Sequence, residues 1–393
     1  MKKQIIGKIV ALGFVLAATG IALFLYKEGR ISLLPDKTSS SFENREEMAS
    51  FPFTEKEYSL SYADRAVQGS YDIADFEESE NWVGDAKLDY TYYVTGKSGL
   101  SFISQDYEKS SASFGLANSF NFDDFSSYKM FVYLFSSPSN IEEFKVIFSN
   151  RKEDCVYSIR DLSEGWNLVT MPKDKFFYEP LGEDIISKIR IELVSRTKTM
   201  ASATVDTLWA EKESNYFENW NISDENSLAL KNFSGKDNLL LAGRQENLVA
   251  SIKEITSVKD CNFSAKFTPL AKGEFGLFIR GNYRNKHGYY LTLSGVDKNN
   301  WQIRKIGIFD KEKGVESISL GRGSIDNFRV ELEKSYWLRA ELSGRTISFS
   351  ASLDGANFSK LGDVNDGSFS RGGVGIVVSS FPAILLDDLQ FSQ

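Results

Sequence analysis

Apolar and polar residues alternate along much of the chain after residue 70. The clearest apolar positions are Phe144, Val146 and Phe148; Ile189, Ile191 and Leu193; and Ile347, Phe349, Ala351 and Leu353. Successive side chains of a strand point to opposite faces, so this period of two predicts half-buried β-strands. Asp354-Gly355, directly after Leu353, predicts a hairpin turn, because glycine tolerates a positive φ. We find no amphipathic helix longer than two turns after residue 30, so the sequence predicts an all-β body.

The first thirty residues follow a different pattern. Residues 9–26 (IVALGFVLAATGIALFLY) are eighteen consecutive apolar or small residues. As a helix, such a run spans about 27 Å, close to the hydrocarbon thickness of a bilayer. The run ends in Phe24-Leu25-Tyr26-Lys27, which lacks the small-x-small site of a cleaved signal peptide. We therefore expect residues 1–30 to be a signal anchor with one transmembrane helix. A cleaved signal is the alternative, and in both cases the body lies outside the cytoplasm, in a periplasm or at the cell surface.

The remaining chain divides into a linker and two long segments. Residues 31–69 are rich in Ser, Glu, Lys and Asp and predict a polar linker, with one early strand near residues 58–62. Both later segments open with an aromatic-Glu pair, in Asp75-Phe76-Glu77 and in Tyr216-Phe217-Glu218. Each segment has the length of one sandwich domain. The predicted domains are two β-sandwiches (jelly rolls) in tandem, at residues 70–212 and 215–393.

Composition excludes several classes of protein. Aromatic residues make up 13% of the chain and Pro only 7 residues, which excludes a disordered or collagen-like chain. Two cysteines exclude a disulfide-stapled scaffold, and a single histidine excludes chemistry that needs a histidine pair. Residues 1–30 hold five basic residues and one acidic residue, so the formal charge of −8 for the chain becomes −12 for residues 31–393. Such a body is not expected to bind nucleic acid, and anionic lipid repels it unless a local patch reverses the sign.

Several motifs of the first segment are typical of one family of modules. They are Asp75-Phe76-Glu77, Gly99-Leu100-Ser101-Phe102, Phe125-Ser126-Ser127-Tyr128 and Gly165-Trp166-Asn167-Leu168-Val169. With these motifs the segment resembles the galactose-binding-like jelly rolls of carbohydrate-binding families over about 140 residues. In such modules a structural Ca²⁺ often ties the first strand to the last. The resemblance thus implies Glu77 and Asp206 as calcium ligands, with Asp75 a weaker candidate. Ordinary strand-end acids are the alternative.

The second segment carries motifs of another sandwich family. They are Phe275 to Arg280, Tyr289-Tyr290-Leu291, Tyr336-Trp337-Leu338-Arg339 and Gly372-Gly373-Val374-Gly375. This segment resembles a concanavalin A-like (laminin-G-like) sandwich, a broad group that includes sugar-binding modules and some glycosidases. Both resemblances imply glycan binding, although each fold also carries unrelated functions.

Strand parity selects candidate ligand-binding residues in the second segment. If Phe275, Leu277 and Ile279 face the core, then Arg280 faces outward. The same parity turns outward the residues Tyr290, Gln302, Arg304, Trp337 and Arg339. On one sheet face they would join guanidinium and amide groups to flat rings, a mixture that suits sugars. A solvated sheet face is the alternative, because strand order is not visible in the sequence.

In the first segment, Tyr90, Tyr92 and Tyr93 follow Trp82 closely. Two of them have the i, i+2 spacing that places side chains on one face of a strand. The cluster fits a stacking platform for a sugar, and it fits an aromatic sheet core equally well.

Catalysis has weak support in the sequence. Retaining glucanases of the concanavalin A-like group carry Glu-x-Asp-x-x-Glu on one strand, and no Glu-x-Asp pair occurs in residues 213–393. Glu331 and Glu333 are the nearest substitute, as two carboxylates on one strand face about 6–7 Å apart. Retaining hydrolysis uses a separation of about 5–5.5 Å.

Together these features predict a membrane-anchored, extracytoplasmic protein that binds polysaccharide without cleaving it, with calcium as the only expected cofactor. Two weak sites on one chain gain effective concentration against a repeating polymer. A glycoside hydrolase or lyase with a catalytic second sandwich is one alternative. A surface adhesion protein that recognises other proteins is another.

Overall fold

The residues that the computed structural model describes form β-strands joined by turns and loops. They are residues 57–61, 69–78, 81–150, 153–177, 185–212, 218–222, 224, 227–242, 247–294, 298–379 and 383–393. All of them belong to one unit, residues 51–393. The predicted signal anchor lies outside the described residues, as does most of the predicted linker. Within the described ranges, no helix is long and apolar enough to cross a membrane.

A short strand, β1, precedes the strands of a first sandwich. The bounds are β1 Glu57–Leu60, β2 Ser70–Ala74, β3 Trp82–Gly84, β4 Lys87–Asp89, β5 Gly99–Gln105, β6 Lys109–Asn121, β7 Ser127–Leu134, β8 Ile141–Ser149, β9 Asp154–Ser158, β10 Gly165–Pro172, β11 Ile185–Ser195 and β12 Met200–Glu211. Sheet I has the order β10-β7-β12-β5-β4, with β2 beside β12, and sheet II has the order β3-β6-β11-β8-β9. Short 3-10 turns lie at Phe122–Asp124, Pro138–Asn140 and Lys173–Lys175.

Alternating apolar residues of both sheets fill the core of the first sandwich. Phe144, Val146 and Phe148 of β8 are buried, as are Ile189, Ile191 and Leu193 of β11. They pack in one cluster with Phe102, Val132 and Val205 of sheet I. The alternation in these segments thus predicted both the strands and their buried faces, and the all-β prediction is confirmed for the described residues.

Later strands build a second sandwich. Their bounds are β13 Trp220–Ile222, β14 Leu228–Phe233, β15 Lys236–Ala242, β16 Leu248–Ile252, β17 Cys261–Pro269, β18 Glu274–Asn282, β19 His287–Ser294, β20 Asn300–Asp310, β21 Gly314–Ser324, β22 Tyr336–Ser343, β23 Thr346–Ser352, β24 Ser359–Asn365, β25 Gly373–Ser379 and β26 Ala383–Ser392. Sheet III has the order β14-β15-β26-β17-β22-β23-β24, with β1 beside β26. Sheet IV has the order β13-β16-β25-β18-β19-β20-β21.

The core of the second sandwich lies between sheets III and IV, and its cluster joins Phe349 and Leu386 to Leu277, Leu291 and Ile376. Strand β23 ends one residue before the predicted Leu353, which is exposed. The strand ends there because Asp354 Oδ1 accepts the N–H of Ala356 and of Asn357, and so closes the predicted turn toward β24.

The two sandwiches pack through the outer faces of sheets I and III. One apolar cluster contains Phe131 and Trp209 from sheet I and Leu240 and Leu385 from sheet III. Polar contacts surround it: the Trp209 Nε1–H donates to the Leu230 carbonyl at 2.9 Å, and the Leu230 N–H donates to Glu211 at 2.7 Å. The interface is therefore apolar at its centre, and the Trp209 and Leu230 N–H groups beside it are paired.

Candidate functional site

Four aromatic side chains form a contiguous cluster on the outer face of sheet I. The ring centroid of Tyr133 lies 4.2 Å from that of Tyr92, 4.7 Å from that of Phe135 and 5.2 Å from that of Trp166. We call these four residues the aromatic patch. Phe135 is 41% exposed, and the other three are half-buried. A cluster of large rings that reaches solvent is a feature of ligand-binding surfaces rather than of cores.

The alternation of β7 explains why these rings face outward. Met130, Val132 and Leu134 point into the core, so Phe131 and Tyr133 point to the other side. There the second sandwich covers Phe131. The aromatic patch thus continues the apolar interface beyond the edge of the second sandwich.

Tyr92 reaches the patch from the loop that follows β4. Asp89 fixes the start of this loop, since its Oδ1 accepts the N–H of Thr91 at 2.8 Å and of Tyr92 at 3.2 Å. The Asp89 Oδ2 accepts the hydroxyl of Thr204 at 2.9 Å. Tyr92 is therefore held over sheet I by contacts to its neighbours in the sheet.

Small hydroxyl groups and apolar side chains border the aromatic patch. Thr204 of β12 pairs with Tyr133, and Ser101 of β5 pairs with Thr204. Thr204 is fully buried and its hydroxyl donates to Asp89, whereas Ser101 is half-buried. Ile103 and Met200, further along the same face, are 64% and 54% exposed. Burial and the neighbouring Tyr92 raise the pKa of Tyr133. Its phenol is protonated at neutral pH in any case and can donate a hydrogen bond. The surface combines flat rings with short hydrogen-bonding groups.

Sequence reasoning found only part of this patch. Of the tyrosine cluster, Tyr92 lies in the patch and Tyr90 is exposed, so neither belongs to the buried core. Tyr133 and Phe135 were missed because residues 130–135 are apolar on both faces. Trp166 was noted only as part of the Gly165-Trp166-Asn167-Leu168-Val169 motif. The one indication in the sequence was that Tyr133 lies two residues after Phe131, a spacing that places both side chains on the same face of the strand.

The predicted ligand residues of the second sandwich do not share one face. Arg280, Tyr290, Gln302 and Arg304 lie on sheet IV, whereas Trp337 and Arg339 lie on β22 of sheet III. The prediction of a single surface is therefore wrong. Parity gave the correct face for Trp337 and Arg339, but it carries no information on which sheet a strand joins.

Arg280 does not face solvent. It is 2% exposed, at a β-bulge where pairing shifts after Ile279. Its Nε donates to the Lys259 carbonyl at 2.8 Å, and its Nη2 donates to the Gly344 carbonyl at 2.7 Å. The bulge breaks the parity on which the outward prediction rested. Arg280 is a structural tie between loops.

Tyr290, Gln302 and Arg304 do lie together on the outer face of sheet IV. Tyr290 pairs with Arg304 across β19 and β20, and Thr292 pairs with Gln302. Arg304 Nη2 binds Glu274 Oε2 at 2.7 Å. The Tyr290 ring is buried, and its hydroxyl donates to the Lys286 carbonyl. Within the described residues, Thr292 Oγ1 and Arg304 Nε are buried without a hydrogen-bond partner. Both atoms are shielded from solvent, so they do not form an open binding surface on this face.

On sheet III, Trp337 and Arg339 are each engaged by neighbours. Lys266 Nζ lies 5.4 Å from the Trp337 ring centroid, and the Arg339 guanidinium lies 3.5 Å from that of Phe358. Both side chains are half-buried. They form a solvated, cation-covered surface rather than an open platform.

The acids implied as calcium ligands hold a loop by hydrogen bonds. Buried Asp206 accepts the N–H of Val94 at 2.6 Å and of Thr95 at 2.9 Å, and Glu77 accepts the N–H of Lys97 at 2.8 Å. Desolvation raises the pKa of Asp206 to about 7, against the opposing effect of these donors. The described residues contain no group of three or more His, Cys, Asp or Glu that could hold a metal ion.

Asp75, the weaker calcium candidate, accepts the N–H of Glu77 at 3.2 Å. Backbone carbonyls supply many ligands of structural calcium, so the donor set of Glu77 and Asp206 fits such an ion only in part. Calcium binding stays a prediction.

Glu331 and Glu333 lie in a turn and not on a strand. Glu333 has φ +61°. Glu331 pairs with Lys334 at 2.7 Å, and Glu333 accepts the N–H of Gly96 in the first sandwich at 3.3 Å. The predicted strand-face pair is wrong, because the chain turns before β22 begins.

Comparisons of the fold with solved structures find carbohydrate-binding modules and a GH43 protein. Carbohydrate-binding module CBM66 from Bacillus subtilis has a TM-score of 0.34 and 13% identity, over 44% of this chain and 96% of that one. The family 11 carbohydrate-binding module from Clostridium thermocellum has a TM-score of 0.30 and 16% identity, over 37% and 98%. A GH43 protein from Bacillus licheniformis has a TM-score of 0.33 and 14% identity, over 61% and 46%.

No family model matches the sequence, and no curated protein matches it. The TM-scores above are too low to assign the chain to any of these families.

Proposed function

We propose that this protein binds carbohydrate through the aromatic patch of its first sandwich. The observation that carries the proposal is the contact of Tyr92, Tyr133, Phe135 and Trp166 on a solvent-facing sheet surface. The C–H faces of a sugar ring pack on aromatic rings, while its hydroxyls need fixed hydrogen-bonding groups. Ser101 supplies one such group, on the strand next but one to that of Tyr133.

We further propose that the protein binds without cleaving, and that it acts at a membrane surface outside the cytoplasm. The engagement of Glu331 by Lys334 and of Glu333 by Gly96 supports a binding role over hydrolysis. The apolar run at residues 9–26 supports the membrane tether.

A glycan array probed with the purified full-length protein tests the proposal. Tyr133→Ala and Trp166→Ala should each weaken binding about tenfold or more, as expected for aromatic residues at the centre of a binding surface. Phe177→Ala is the matched control, because Phe177 is a 73% exposed aromatic residue outside the patch. Equal binding by all three variants would remove the patch as the site. A blank array for the wild type would leave a protein-binding surface as the better explanation.

A further inference from the structure

Four loops lie at one end of the second sandwich. They are residues 253–260, 283–286, 344–345 and 366–372, and each lies at the same end of the strands it joins. The register shows this: Cys261 pairs with Leu342, Val258 bridges Gly372, and Asn282 pairs with His287. We call these four loops the basic end.

The basic end has the opposite charge to the rest of the body. Its loops hold six Lys or Arg residues and three Asp or Glu residues, whereas residues 31–393 as a whole carry −12. Two of the three acids are already engaged, since Asp366 binds Lys305 at 3.0 Å and Asp260 lies 3.5 Å from Arg280. Within the described ranges, the exposed Lys253, Lys259, Arg345 and Arg371 form no ion pair. The adjacent hairpin at residues 310–313 is balanced, with two acids and two lysines.

Hydrogen bonds from buried side chains connect the loops of the basic end. Buried Arg280 donates to the carbonyls of Lys259 and Gly344, and Tyr289 donates to Asp366 Oδ1 at 2.6 Å. The Phe369 N–H in turn donates to the Tyr289 hydroxyl at 3.1 Å. The exposed cations are therefore displayed on a fixed surface, which lowers the cost of binding an anionic partner.

The chain enters the second sandwich at this same end. Strand β1 begins at Glu57, which pairs with Ser392, and Ser392 pairs with Asn262 beside Cys261. Thirty residues separate Tyr26 at the end of the apolar run from Glu57, and such a length spans at most about 100 Å. The basic end is thus the part of the second sandwich to which the proposed tether connects.

We propose that the basic end docks on anionic lipid headgroups of the bilayer that holds residues 9–26. The inference rests on the proposed membrane tether. Each basic side chain at an anionic surface strengthens attachment about fivefold, and the attraction fades beyond a Debye length of about 10 Å. Docking would set the second sandwich upright on the membrane and fix the height of the aromatic patch above it.

The test uses the full-length protein in vesicles of phosphatidylcholine alone and of phosphatidylcholine with 30% phosphatidylglycerol. A fluorophore on Ser370→Cys, in a Cys155→Ser background, reports energy transfer to a labelled lipid. Cys261 is buried and does not compete for the label. We expect higher transfer in the anionic vesicles and its loss in 0.5 M salt, where the Debye length falls to about 4 Å.

The combined variant Lys259→Glu, Arg345→Glu, Arg371→Glu should lower the docked fraction at least tenfold in anionic vesicles. The matched control is Arg329→Glu, Lys334→Glu, Lys360→Glu, which changes the net charge equally at the opposite end and should dock like the wild type. Equal transfer in both vesicle types would overturn the docking while leaving the tether intact.

Failure of the chain to float with vesicles after an alkaline wash would instead refute the tether, and the docking with it. Carbohydrate binding is measured separately on the array and does not depend on either result. If transfer is equal in both vesicle types and the charge-reversed variant loses binding to polygalacturonate, the basic end binds an acidic polysaccharide, and the lipid proposal falls.

Discussion

The replacement of Arg280 by Met separates a structural role for this side chain from a ligand-binding role. The guanidinium is 2% exposed and donates to the Lys259 carbonyl at 2.8 Å and to the Gly344 carbonyl at 2.7 Å. A methionine fills much of the same volume but donates nothing. Both carbonyls then lose their charged donor in a buried setting.

The expected loss in the free energy of unfolding follows from these two carbonyl groups. A buried acceptor left unpaired costs about 1–3 kcal/mol, and relief of the buried charge offsets part of the total. We expect a net loss of about 3 kcal/mol in the free energy of unfolding. With a urea slope of about 3 kcal/mol per molar, the midpoint should fall by about 1 M.

Urea unfolding followed by tryptophan fluorescence measures this shift. Arg345→Met is the control, because Arg345 lies in one of the loops that Arg280 ties but is itself exposed. Surface substitutions of this kind usually change stability by less than about 0.5 kcal/mol. An unchanged midpoint for Arg280→Met together with lost glycan binding would refute the structural role and restore the ligand role.

Three further predictions concern stability. Asp206 has a folded pKa of about 7 against about 3.9 when unfolded, so the native state holds an extra proton between these values. Stability should therefore fall by about 1.4 kcal/mol per pH unit as the pH rises from 4 to 7, and Asp206→Asn should remove this slope in urea titrations at several pH values. Trp209→Ala should lower the free energy of unfolding by about 3–5 kcal/mol, because it leaves a cavity in the apolar cluster between the sandwiches. It should also split the calorimetric transition in two, and one unsplit transition would contradict this. If calcium binds at Glu77 and Asp206, calcium should raise the melting temperature of the wild type over a chelator control and leave Glu77→Gln unchanged.

The aromatic patch shows how far the sequence alone reaches. The sequence places Tyr133 on the opposite face from Val132, because alternation is a local property of any strand. It does not reveal that the second sandwich covers Phe131 and leaves Tyr133 at the rim. Contact between residues distant in the chain decides that difference, and no local pattern encodes it.

The predicted ligand set illustrates two other limits. The prediction that Arg280 faces outward was wrong because a bulge after Ile279 adds a residue to one strand and turns the side chain toward the loops. The prediction that Trp337 and Arg339 share a face with Arg304 was wrong because the strands belong to different sheets. Strand β22 joins sheet III beside β17, whereas β20 joins sheet IV beside β19. Register and strand order are global choices, set by which faces must be buried together.

The charges of the basic end were likewise visible only as scattered residues. The sequence by itself determined the all-β class, most strand positions and the faces that build each core, because these follow from periodicity within a few residues. The tertiary structure alone decided which outer faces meet, which rings stay exposed and which loops share one end, because those properties depend on pairing between strands far apart in the chain.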